Sequence, residues 1–191
     1  MSQRAYRLGR RQADVDRTRS AILSAARQLV AEFGPDSSLE SVAERAGVSR
    51  ITVYNQFGSK DRLLEALRAE FGPGPRGAPE SGSDPSDDLR RRVMQACAAW
   101  SADPSLHRQL QGHARRQGEE SDPDRALAER LADHDRLRPG CSIKEAEDVI
   151  GILTSFPVFD RLHKGGRRSP SAVAEILMRM ASVFMVPGPP V

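Results

Sequence analysis

The chain has 191 residues, 38% of them hydrophobic and 29% charged, the balance of a folded globular protein of one domain or two. No apolar run approaches the roughly 18 residues of a membrane span, and no apolar core follows the basic start MSQRAYRLGRRQ, so no secretory signal is visible. Cys97 and Cys141 form no CxxC pair, which argues against a disulfide framework or a Cys-based zinc site; a cytoplasmic protein without membrane contact and without cofactor or metal is expected.

The net charge of +3 is unevenly placed. Residues 1–71 hold 12 Lys and Arg against 9 Asp and Glu, and residues 72–191 hold 17 of each. The excess is densest at Arg4, Arg7, Arg10, Arg11, Arg17 and Arg19. Residues 1–16 read as a flexible basic arm able to reach phosphates or a minor groove.

The first helix is expected from about Thr18 to Phe33, with Ile22, Ala26, Leu29, Val30 and Phe33 on one apolar stripe. Gly34-Pro35 stops it. Ser37 and Glu40 are spaced as a capping box for a second, short helix that buries Leu39, Val42, Ala43 and Ala46. Gly47 ends that helix, Val48 plugs the angle, and Ser49 caps a third helix from Arg50 to Phe57. Val53 and Phe57 face inward there. A fourth helix, Lys60 to about Phe71, carries Leu63, Leu64, Leu67 and Phe71.

Residues 72–86 are then too rich in Gly and Pro for regular structure and read as a linker or loop. From 87 to 186 the helical period returns. Asp87–Trp100 places Leu89, Val93, Cys97 and Trp100 on one face. Weaker helices follow from Pro104 to about Arg116 and from Pro123 to about Leu137. Ser142 and Glu145 cap a helix that Pro157 kinks and that reaches about Leu162. Ser169-Pro170 opens the last one. The chain reads as all-α: an N-terminal helix-turn-helix domain over 17–71, then a helical C-terminal domain.

Leu39–Lys60 has the build of a DNA-reading helix-turn-helix. A helix in the major groove meets acceptors on guanine and a methyl on thymine. Arg50 can fork onto guanine, Ile51 and the Thr52 methyl can touch thymine, and Asn55 or Gln56 can pair with adenine. The Thr52 and Tyr54 hydroxyls, Lys60 and the positive start of the fourth helix suit phosphates.

The run VAERAGVSRITVYNQFGSKDRLLEAL resembles the DNA-binding domain of the TetR/AcrR family of bacterial transcriptional repressors, over about Arg17 to Phe71. The apolar-Ala-x-x-Ala-Gly-Val-Ser element, the Thr-apolar-Tyr triplet and the Phe three residues before a Lys carry the likeness. It implies DNA contacts at Ser38, Ser49, Arg50, Ile51, Thr52, Tyr54, Asn55, Gln56 and Lys60. Ile51 stands where the family often has Gly or Pro, and Asn55-Gln56 replaces a common aromatic pairing, so the operator sequence is open.

The resemblance also implies a homodimer on a palindromic double-stranded operator. Its interface would be formed by the last two helices, with Ile150, Leu153, Val173, Ile176, Leu177, Met180 and Phe184 as candidates. It implies a small-molecule effector too, for which Trp100, Leu106, His107, Leu110, Leu127, Phe156 and Phe159 are candidates by residue type. Repression relieved by that effector is the leading reading. Because the Gly/Pro stretch begins right after Phe71, a ligand signal has to pass through packing of the short fourth helix or be weak. A constitutive or protein-responsive regulator is the first alternative. An enzyme in the C-terminal half is remote: the four histidines have no i, i+4 metal spacing, and neither GxSxG nor HExxH occurs.

Overall fold

The computed structural model describes residues 3–72, 84–111 and 123–186. The described residues are organised as helices: α1 Gln3–Phe33, α2 Leu39–Ala46, α3 Arg50–Phe57, α4 Lys60–Phe71, α5 Pro85–Ala102, α6 Pro104–Leu110, α7 Pro123–Asp133, α8 Ile143–Leu153, α9 Phe156–Asp160 and α10 Pro170–Ala181, with a π-helical turn at Arg161–Gly165 between the last two. The one β-type pairing among them is an isolated antiparallel bridge between Leu137 and Met185.

The helices form two compact units. One holds α1 to α4 together with α6; the other holds α5 and α7 to α10. α6 therefore leaves the C-terminal half, to which its position in the chain assigned it, and joins the N-terminal one.

In the first unit, Ile22, Leu23, Ala26, Leu29 and Val30 of α1 are buried, with Val42 and Ala43 of α2, Val53 and Phe57 of α3, Leu63, Leu64 and Leu67 of α4, and Leu106 and Leu110 of α6. Phe33 lies on the α1 stripe yet is 70% exposed. Periodicity fixes a direction, not a neighbour in that direction. α6 is held at its end by a charge: the Arg68 guanidinium, from the last turn of α4, donates to the Leu110 carbonyl at 2.5 Å. That carbonyl is one of the four a helix leaves unsatisfied at its C-terminus, where a cation is favoured.

In the second unit, Leu89, Val93, Cys97 and Trp100 of α5 pack in one core with Leu127 and Leu131 of α7, Ile150 and Leu153 of α8, Phe156 and Phe159 of α9, and Val173 and Leu177 of α10. Burial pushes the Cys97 thiol up to about 11, so it sits there as a small apolar residue. Ion pairs run alongside. Asp88, 5% exposed, accepts from Arg91 and from Arg130, each at 2.5 Å. Arg92 pairs with Asp124, and Arg136 reaches Asp84 at 2.5 Å.

Several boundaries differ from those read off the sequence. α1 begins at Gln3, so the stretch expected to be a flexible arm is the first half of a helix. The Ser37 box is displaced by one residue: Ser38 is the N-cap of α2 and accepts from the Ser41 amide at 3.0 Å, while Ser37 donates to the Gly34 carbonyl. α5 starts two residues early because Asp84 caps it and Pro85 takes its first turn. α7 stops at Asp133, where Asp135 turns the chain at φ +54° toward the Leu137 bridge. α8 stops at Leu153 and Pro157 lies in the first turn of a separate α9. Most of the expected linker, 72–86, and the expected helix beyond residue 111 lie outside the described residues.

Candidate nucleic-acid interface

The interface is built on α2, α3 and the turn between them. α2 ends because Gly47 adopts φ +66°, a left-handed conformation, and its amide and that of Val48 close back on the carbonyls of Glu44 and Ala43. A Cβ at Gly47 would meet nothing within 4 Å, so the backbone angle, not space, is what selects glycine there. Val48 is half-buried in the angle. Ser49 is extended at φ −75°, ψ 152° and its hydroxyl accepts from the Thr52 amide at 3.1 Å, which starts α3.

Val53 and Phe57 then anchor α3 inward, 0% and 6% exposed. The Arg19 guanidinium of α1 lies 4.7 Å from the centroid of the Phe57 ring, a cation–π contact that holds the end of α3 against α1. Arg45 of α2 pairs with Glu32 of α1 at 2.9 Å. Both contacts are long-range in sequence and carry no local spacing signal.

The expected DNA-contacting residues divide by environment. Arg50, Ile51, Tyr54 and Asn55 are exposed, Ile51 at 71% and Tyr54 at 61%. Thr52 and Gln56 are half-buried. The Thr52 hydroxyl is engaged at the cap, 2.8 Å from the Ser49 hydroxyl. Ser38 and Ser49 are exposed, but their side chains cap α2 and α3. Lys60, at the first position of α4, lies 3.8 Å from Asp36, an ion pair too long for a direct hydrogen bond and open to competition from a phosphate. No acidic residue occurs in α3. The surface can therefore approach a polyanion while offering apolar, amide and cationic groups from one short helix.

The other candidates fall elsewhere. Trp100, Leu127, Phe156 and Phe159 lie in the core of the second unit, where Trp100 meets Phe156 edge-on at 6.0 Å and Phe159 at 5.5 Å. Leu106, His107 and Leu110 are buried on α6, in the first unit, so the seven effector candidates divide between the two units. Of the seven dimer candidates, Ile150, Leu153, Val173, Leu177 and Phe184 are consumed by the chain's own core. Ile176 is half-buried and Met180 is 45% exposed; Ile152 and Val183, not among the candidates, are 54% and 77% exposed. Helical period could not divide these groups, since α8 and α10 are apolar on more than one face. Among the described residues no group of His, Cys, Asp and Glu is placed to hold a metal ion, and no helix is long and apolar enough to cross a membrane.

Residues 22–67 match the model of the bacterial regulatory proteins of the tetR family. An uncharacterized HTH-type transcriptional regulator of Pseudomonas putida, TtgW, is 40% identical over 58 residues, 30% of this chain and 43% of that protein; the match spans less than half of the relative's length. Solved structures share the fold over more of the chain. NalD, the secondary repressor of the MexAB-OprM multidrug efflux pump in Pseudomonas aeruginosa, is 24% identical with a TM-score of 0.60, over 91% of this chain and 98% of that one. SmeT, the repressor of the Stenotrophomonas maltophilia multidrug efflux pump SmeDEF, is 21% identical with a TM-score of 0.64, over 89% and 91%. A TetR-family transcriptional regulator from Haemophilus influenzae is 18% identical with a TM-score of 0.67, over 92% and 100%.

Proposed function

We propose that the chain, whose residues 22–67 match the model of the bacterial regulatory proteins of the tetR family, is a homodimeric, sequence-specific DNA-binding transcriptional regulator, a repressor that a small-molecule effector releases from its operator. The observation that carries the reading is α3: a helix capped by Ser49, anchored by Val53 and Phe57, with Arg50, Ile51, Tyr54 and Asn55 exposed along it. Major-groove reading needs such a row on an α-helix of this width.

Dimerisation is supported by the exposed apolar side chains of α8 and α10 and the turn after them, Ile152, Met180 and Val183, which a second copy would cover. Two copies of α3 would then address half-sites about 34–36 Å apart, or a multiple of that. Effector control is supported by the aromatic group Trp100, Phe156 and Phe159, the kind of wall an apolar ligand packs against, and repression by the likeness in fold to the repressors NalD and SmeT.

Selection of bound sequences from a random duplex library tests the reading. It should return an inverted repeat at that spacing; the absence of any enriched sequence would refute it. The dimer is tested apart from DNA: Ile176→Glu combined with Met180→Glu should halve the mass measured by light scattering. An unchanged mass would place the interface elsewhere.

A further inference from the structure

The exposed row of α3 is not chemically even. At 3.6 residues per turn, Asn55 points about 180° away from the midpoint between Val53 and Phe57, and Ile51 about 140° away. By the same reckoning Tyr54 lies at about 80° and Arg50 at about 40°, on the rim of the helix. Thr52 points outward by angle, but its hydroxyl is engaged with Ser49 and the residue is half-buried. The two side chains at the crest are thus an isoleucine and an asparagine, one turn apart.

An isoleucine 71% exposed on an eight-residue helix contributes nothing to the core behind it. β-Branching also makes it a poor helix former. Its apolar surface matches one major-groove feature, the C5-methyl of thymine, as an amide matches the N6 and N7 edge of adenine. The cytosine amino group calls for a carboxylate, and α3 has none. Ile51 and Asn55 are about 6 Å apart along the axis, close to two base-pair steps of about 3.4 Å.

Resting on the DNA-binding reading above, we propose that Ile51 and Asn55 are the residues that determine base preference. Each half-site contains a thymine whose methyl packs on Ile51 and, within about two base pairs, an adenine paired by Asn55. Arg50 and Tyr54, on the rim, go to the backbone and position the helix.

Uracil is thymine without that methyl, so the test needs no change in the protein. The duplex recovered by selection is resynthesised with each thymine in turn replaced by deoxyuridine, and its affinity for the full chain is measured. One thymine per half-site should show a loss of about fourfold, the worth of one buried methyl. Ile51→Ala should bind the thymine and uracil duplexes alike, while Ile51→Val keeps the preference. Asn55→Ala should relax one adenine position by about tenfold. Indifference of the wild-type chain to every uracil overturns the inference, as does a full thymine preference in Ile51→Ala. A selection that enriches no sequence removes the regulatory reading itself and the inference with it, an outcome distinct from specific binding that ignores the methyl.

Discussion

The two units fix their helices by different means. In the first, the short helices α2 and α3 are set by their ends: Ser38 and Ser49 cap their starts, and Gly47 and Gly58 close them with positive φ. In the second, α5 and α7 are joined along their sides by ion pairs, Asp88 with Arg130 and Arg92 with Asp124. End-fixing leaves the outer face of a helix uncommitted, which a surface that reads another molecule requires. Side-fixing commits charge to the interior, where each partner depends on the other. The first unit should therefore lose stability in small steps when its caps are removed, and the second in one large step when a pair is broken.

The largest effect should come from Asp88→Ala. It removes the carboxylate that Arg130, whose side chain is 25% exposed, and Arg91, at 40%, both bind. Losing one partner of a buried pair costs about 3–5 kcal/mol; because both arginines reach water, about 2–3 kcal/mol is expected. Urea unfolding checks it, and a loss below about 0.5 kcal/mol would mean that the pairs decorate the unit without holding it. Gly47→Ala comes next, at about 1 kcal/mol, since the new Cβ has room and only the φ of +66° opposes it. Ser49→Ala should cost about the same and weaken DNA binding with it; a cap loss that leaves both untouched would mean that α3 is not fixed by its end. The smallest effect on folding belongs to Lys60→Ala, because its pair with Asp36 at 3.8 Å is loose and surface pairs contribute little. Its expected signature is on DNA: affinity lowered evenly across sequences, and a salt dependence shallower by about one ion.

The same contrast explains what was legible in the chain. Caps and turns are local, so Ser49, Gly47 and the limits of α2, α3 and α4 could be read from neighbouring residues. Even there the signal was degenerate by one position: Ser37 and Ser38 are both serines, and spacing alone chose the wrong one. Contacts distant in sequence left no pattern. Nothing in the spacing shows that Arg19 lies over Phe57, that Asp88 meets Arg130, or that Arg68 reaches Leu110. The apolar runs of α8 and α10 were recognisable, but residues turned to the chain's own core could not be told from residues left for a partner. For α3 the exposed side was clear from Val53 and Phe57, whereas the withdrawal of Thr52 into the cap turns on its hydroxyl rotating toward that of Ser49, which spacing does not fix.

The bond from Arg68 to the Leu110 carbonyl also bears on how the protein is made. The first unit is discontinuous: it uses the chain up to α4, omits α5, and takes up α6. Synthesis at about 5–20 residues per second puts a delay of about 2–8 s between the appearance of Phe71 and that of Leu110. Through that interval Leu63, Leu64 and Leu67 are in place without the helix that shares their unit. A nascent chain halted before residue 104 should therefore expose apolar surface on an otherwise recognisable helix-turn-helix, and a fragment cut at residue 71 should be less stable than its tidy motif boundary suggests.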